Sequence, residues 1–248
     1  MNALCRTWAF MSETAVYLQP AFILQERKYR ETSLILEVLT RDFGRLSLLA
    51  KGIRKAKSRF LGLLRPFVPL NVSFTGKSEL KLLTDVEMAR PYLELTGLAL
   101  YSGFYVNELV MHFLHKHDPH PDVFGHYRDC LFRLSAGAGL EAALRDFEFR
   151  LLECAGYGLQ LDKDYLDDRP IDPAKRYRID AELGPTEAVD GPYSGKTLRA
   201  VPAGDFGDPE VLAEAKNLMR ALIDAHSQGK PLKSRTIINT LIKQTKNE

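Results

Sequence analysis

The chain has 248 residues, 45% of them apolar or aromatic and 27% charged, with 17 Gly, 13 Pro and a formal net charge of +2. That composition excludes a disordered chain, a collagen-like repeat and a coiled coil, and the length is ample to bury a core in one large domain or several small ones. No apolar run approaches the ~20 residues of a membrane span, the Trp8–Met11 patch is too short for a signal-peptide core, and three scattered cysteines (Cys5, Cys130, Cys154) do not make a disulfide framework. The expectation is a soluble cytoplasmic protein with reduced thiols.

Residues 15–86 read as five short strands. Ala21–Arg27 supplies the first; Thr32–Thr40 and Arg45–Ala50 are β-rich runs joined by the compact turn Arg41-Asp42-Phe43-Gly44; Phe67–Thr75 and Glu79–Thr84 form a second pair around Gly76-Lys77-Ser78. The long connector after the third strand suits a small, partly open barrel of the oligonucleotide-binding type, and an SH3-like barrel is the alternative that strand counting does not separate.

The pattern changes near Arg90. Leu98, Tyr101, Tyr105, Leu109 and His112 recur at helical spacing, predicting a helix over Leu95–His115 that the Asp118-Pro119-His120-Pro121 stretch prevents from continuing. Asp122 is placed to cap a second helix, and Leu140–Ala155 forms a third with Gly156 as its C-cap. The acid-, Pro- and Gly-rich segment Asp162–Gly207 carries two β-like pieces, Arg176–Ala181 and Thr197–Val201. Helix returns over Pro209–Ala225 and, after Gly229-Lys230-Pro231, from Thr236 to about Lys243. The fold class is therefore α+β: a barrel over residues 1–88, with 1–14 as an extension, then an all-α helical domain over 89–248 carrying an irregular insertion at about 162–207.

The small net charge conceals an asymmetry. Thirteen Lys/Arg lie between Arg27 and Lys81 against four acids, a net of +9, which leaves −7 for the remainder. Within that span, Lys51–Arg65 has six cations and no acid. Such a run repels itself unless a polyanion neutralises it, although a solvated loop is the plain alternative. Binding a single strand needs cations for phosphates and rings for stacking. The candidate contacts are Arg27, Lys28, Arg30, Arg41, Arg45 and Lys51, continuing through Arg54, Lys55, Lys57, Arg59 and Arg65, with Phe60 as the ring inside the basic loop.

Other constellations carry less. Gly191-Pro192-Tyr193-Ser194-Gly195-Lys196-Thr197 resembles a phosphate-binding loop, but its glycines are four apart where five are needed, and Asp190 stands at the required position. His112 and His115 are one turn apart without the HExxH glutamate. Asp162, Asp164, Asp167 and Asp168 form an acidic cluster whose spacing departs from a calcium loop, and no nucleophile–base signature is present. Two alternatives nonetheless stay open: a metal-dependent nucleic-acid enzyme using the Asp162–Asp168 carboxylates, and a protein-only adaptor for acidic tails.

Five stretches together resemble the RecO family of bacterial recombination and repair proteins: residues 31–55 (ETSLILEVLTRDFGRLSLLAKGIRK), 64–83 (LRPFVPLNVSFTGKSELKLL), 100–110 (LYSGFYVNELV), 145–161 (RDFEFRLLECAGYGLQL) and 229–235 (GKPLKSR). The resemblance implies an oligonucleotide-binding barrel, a helical domain and a non-enzymatic mediator without cofactor. Such a mediator binds single- and double-stranded DNA, anneals complementary strands, and with RecR helps load recombinase on DNA covered by single-strand-binding protein, whose acidic C-terminal tail it contacts. It puts the cations of 27–65 on DNA and directs attention to a basic pocket on the helical domain, with Arg128, Arg133 and Lys216 as candidates. Some family members carry a four-cysteine zinc module; residues 155–248 here hold no cysteine, so the 162–207 region must fold by packing alone.

Overall fold

The computed structural model describes residues 15–53, 60, 62–89, 93–137, 139–227 and 229–245. The chain divides into two compact units, Met1–Thr40 with Leu46–Pro91, and Arg41–Arg45 with Tyr92–Glu248.

The first unit is a closed five-stranded barrel of β1 (Val16–Tyr29), β2 (Ser33–Thr40), β3 (Gly44–Ala50), β4 (Leu70–Thr75) and β5 (Leu80–Met88), in the order β1-β2-β3-β5-β4. β1 pairs antiparallel with β4 along its first part and with β2 along its second, and β3 meets β5 in parallel. That parallel closure is the oligonucleotide-binding topology; an antiparallel meander of the SH3 kind would not produce it. Inward residues at alternate positions fill the core, among them Ile23, Leu36, Val38, Leu48, Val72 and Phe74, all 2% exposed or less. β1 starts five residues before its predicted onset. The pairing slips between Val16 and Gln19, Leu18 has φ +49°, and its N–H bonds Ser73 Oγ at 3.1 Å. The bulge turns both Tyr17 and Leu18 outward, which erases the alternation that would have marked a strand.

The second unit is built on α1 (Gly97–Phe113), α2 (Pro121–Ser135), α3 (Leu140–Leu152), α4 (Gly195–Ala203), α5 (Pro209–His226) and α6 (Lys233–Thr245). Tyr127, Leu109, Leu131, Phe147 and Leu218 are buried in its core. Asp122 is not the cap of α2; His120 holds that place and Pro121 occupies the first turn, where its fixed φ suits a helix start. Gly156 takes φ +84° just after α3, the left-handed conformation a C-cap glycine provides.

The insertion is more ordered than the sequence implied. A three-stranded sheet, β7 (Gly184–Glu187), β6 (Arg176–Asp180) and β8 (Tyr193–Ser194) in that order, makes the unit mixed rather than all-α. Thr197–Val201 is helix, not strand, because Leu198 and Val201, three residues apart, share a buried face of α4. Pro202 lies in its last turn, where Gly204 in the left-handed region caps the end.

Two carboxylates tie the insertion together. Asp164 Oδ1 accepts from Leu166 N–H (2.9 Å) and Asp167 N–H (3.4 Å), and Oδ2 from Glu187 N–H (2.6 Å). Glu214 on α5 accepts from Ser194 N–H, Ser194 Oγ and Thr197 Oγ1, each at 2.7 Å, and from Arg176 at 3.1 Å. Glu214 therefore binds at the start of α4, where a phosphate would bind in a true nucleotide loop. Gly195 completes that junction, since a Cβ there would lie 2.0 Å from Asp172 O.

Candidate functional site

The second half of β1 and the turn to β2 form a ribbon on the barrel that exposes Arg27, Lys28 and Arg30 together with Gln25, Glu26 and Glu31. Arg30 takes φ +52° in the turn and lies over the Tyr29 ring at 5.3 Å. Lys51, just past β3, meets the same place: Tyr29, Arg30, Glu31, Thr32, Ser33, Leu49, Lys51 and Gly52 line an open trough of about 690 Å³, so one carboxylate stands among its cations. Arg27, Lys28, Arg30 and Lys51 make no ion pair among the described residues. Arg65 is exposed in the turn before β4. Unpaired cations round a concave surface with a ring at its edge can hold a phosphodiester backbone and a base.

The structure separates the other candidates from this group. Arg45 is removed from it: its Nη1 donates to the carbonyl oxygens of Met111 (2.5 Å) and Leu114 (2.6 Å) at the end of α1, and its own carbonyl accepts from His117 N–H at 2.9 Å. The guanidinium satisfies carbonyls at a negative helix terminus, a structural use of the charge. Arg41 lies in the same turn, in a two-pronged pair with Asp42 (2.9 and 3.0 Å). Phe60 is half-buried and packs against the barrel core beside Leu63, because the core needed the ring. Arg54, Lys55, Lys57 and Arg59 lie outside the described residues.

The three candidate cations of the second unit are paired. Arg128 meets Asp129 at 3.0 Å, Arg133 meets Asp146 at 2.8 Å, and Lys216 meets Glu141 at 2.8 Å. Of these three, Lys216 borders a cleft of about 100 Å³ that also receives Arg220 from α5, Arg235 and Ile238 from α6, and Leu144 from α3. Its floor is a buried network in which Tyr105 Oη (2.6 Å) and Arg145 Nη2 (2.7 Å) both donate to Glu148 Oε1. Burial pushes the Glu148 carboxyl above the usual carboxylate range, although Arg145 opposes that rise. Glu148 Oε2 and Arg145 Nε are buried without a partner. Sequence reading missed Arg220 and Arg235; the i, i+4 spacing of Arg220 from Lys216 on α5 was the available signal.

The acidic cluster does not converge as a metal site. Asp164 spends both oxygens on backbone N–H groups, and Asp168 pairs with Lys163 at 3.0 Å. Among the described residues no group of three or more His, Cys, Asp or Glu is placed to hold a metal. No helix of the described residues is long and apolar enough to cross a membrane.

Two of the stretches behind the family resemblance turn out to be joints. Asn107 Oδ1 accepts from Tyr127 Oη at 2.6 Å, tying α1 to α2, and Glu108 accepts from the first turn of α6.

The comparisons agree with this architecture. The family model described as recombination protein O N terminal matches residues 11–92, and that described as recombination protein O C terminal matches residues 95–236. A DNA repair protein RecO of Methylococcus capsulatus is 44% identical over 227 residues, covering 91% of this chain and 94% of the relative. Relatives of the same name from Burkholderia pseudomallei (41% over 233 residues, 92% and 84% covered) and Nitrosococcus oceani (41% over 231 residues, 91% and 94% covered) are similar throughout. With both halves matched in order, the chain belongs to the RecO family of DNA repair proteins.

Proposed function

We propose that this chain is a non-catalytic recombination mediator whose barrel holds single- and double-stranded DNA by its backbone and promotes annealing of complementary strands. The observation that carries the reading is the contrast in pairing: Arg30 and Lys51 line an open trough beside Glu31, Arg27 and Lys28 are exposed on the adjoining strand, and none of these four cations makes an ion pair among the described residues, whereas Arg128, Arg133 and Lys216 are each neutralised nearby. Phosphates supply the missing counter-charges, and Tyr29 offers a face to a base. Arg65 and the cations Arg54, Lys55, Lys57 and Arg59 of the same basic stretch add to the positive charge of the barrel sequence.

The second unit serves protein partners in this reading. A cleft rimmed by Lys216, Arg220 and Arg235 with Leu144 and Ile238 inside suits a peptide that is acidic and carries apolar residues, and the acidic tail of single-strand-binding protein is the partner this reading assigns to it. The rim cations are exposed or only partly shielded, and surface pairs of this kind are worth about 0–1 kcal/mol, so an incoming acidic segment displaces them readily. Together with RecR, the chain then assists recombinase loading in the cytoplasm.

Strand annealing with the purified chain tests the proposal. Complementary oligonucleotides should anneal faster with the protein, without ATP, and also when coated with single-strand-binding protein. A strict ATP requirement, or magnesium-dependent cleavage abolished by Asp164→Asn, would overturn it.

A further inference from the structure

One wall of the acidic-peptide cleft, α6, is clipped at its start by a side chain of α1. Glu108 reaches from α1 to the start of α6, where Oε1 accepts from Lys233 N–H at 2.9 Å and Oε2 from Ser234 N–H at 2.9 Å and Ser234 Oγ at 2.5 Å. The first N–H groups of a helix have no partner within it, and a side chain just before the helix usually satisfies them. Here Pro231 and Leu232 precede α6 and offer no acceptor side chain, so a carboxylate from another helix caps it. Leu232 is buried, but the adjoining Lys230 and Pro231 are exposed and Ile237 is 52% exposed. Downstream of that clip, Arg235 pairs with Asp224, reaches Tyr105 Oη at 3.5 Å and lies over its ring at 5.7 Å.

We infer that Glu108 is a positioning residue for the cleft: it touches no ligand itself, but seats α6 so that Arg235 and Ile238 close the wall opposite Leu144. This rests on the acidic-peptide reading of the cleft and adds its control. Because coupling is reciprocal, a peptide that needs the α6 wall also stabilises the seated helix. Occupancy of the cleft and docking of α6 are then one equilibrium, and weakening the clip lowers apparent affinity by the fraction of chains with α6 unseated.

The test measures binding of a fluorescent acidic peptide ending in two apolar residues to the full chain and its variants, with amide hydrogen exchange read over Lys233–Ile238. Glu108→Ala should weaken the peptide by about tenfold, and Glu108→Gln, which keeps one acceptor oxygen, by less. Exchange over the first turn of α6 should quicken in Glu108→Ala and slow again at saturating peptide, while affinity for an oligonucleotide stays that of the unaltered chain. Should Glu108→Ala not fold, the Glu108→Gln pair of readings decides. If the unaltered chain binds peptide and Arg220→Ala weakens it, yet both Glu108 variants bind normally or exchange normally, the positioning role is overturned and the cleft reading stands. No peptide binding by the unaltered chain overturns both.

Discussion

Arg27 and Arg45 read alike in sequence, cations among strand residues of one basic segment, and differ in what their guanidinium groups meet. Arg27 is exposed on the β1 ribbon, while Arg45 is held by two carbonyl oxygens at the end of α1. Arg45→Ala should therefore lower stability by about 2–3 kcal/mol, the loss of charge-assisted hydrogen bonds at a helix terminus. A shifted denaturant midpoint with unaltered intrinsic DNA affinity at low denaturant would check it. Arg27→Ala combined with Lys28→Ala should do the opposite, weakening oligonucleotide binding without moving the midpoint. Counting charges marks the segment as basic, but a charge carries no record of its partner. Phe60 illustrates the same limit, since ring chemistry serves a core as well as a base.

At the scale of elements, periodicity located every long helix and all five barrel strands, because each buries one face and alternation or 3.6-residue spacing records that burial. It failed where a few polar contacts decide. The bulge at Leu18 hid the start of β1, and α4 looked like a strand because its five-residue pattern fits either period. The β8–α4 junction is also where the insertion is most exposed to substitution. Gly195→Ala places a Cβ against the Asp172 carbonyl, so the loss should exceed about 2 kcal/mol, seen as a lower melting temperature. Glu214 adds a pH signature. Burial alone would raise its carboxyl, but donors from Ser194, Thr197 and Arg176 hold it below the ordinary 4.5. Its contribution is thus complete above that value and fades as the pH falls through the lower folded-state value. Glu214→Gln should melt lower near neutrality and lose less of its remaining stability on acidification than the unaltered chain.

For the whole molecule, the family resemblance came from joints as well as from the stretch 31–55 that borders the trough. Asn107, Glu108 and Ser234 tie helices together, and Gly44 is fixed by its approach to Asp118, where a Cβ would lie 2.0 Å from the carbonyl oxygen. Motifs of that kind identify a fold because backbone contacts tolerate few alternatives. The trough at Arg30 and Lys51 was marked only in part, by the Lys51 turn: it joins two turns about twenty residues apart, and the pairing order β1-β2-β3 brings them together. The most direct measurement of the central claim is the salt dependence of oligonucleotide affinity for the unaltered chain and for Arg27→Ala/Lys28→Ala/Arg30→Ala/Lys51→Ala. The plot of log K against log salt should be steep for the former and flatter by about 0.7 for each lost single-strand phosphate contact in the latter. A folded quadruple variant with the same affinity and the same slope would contradict the account.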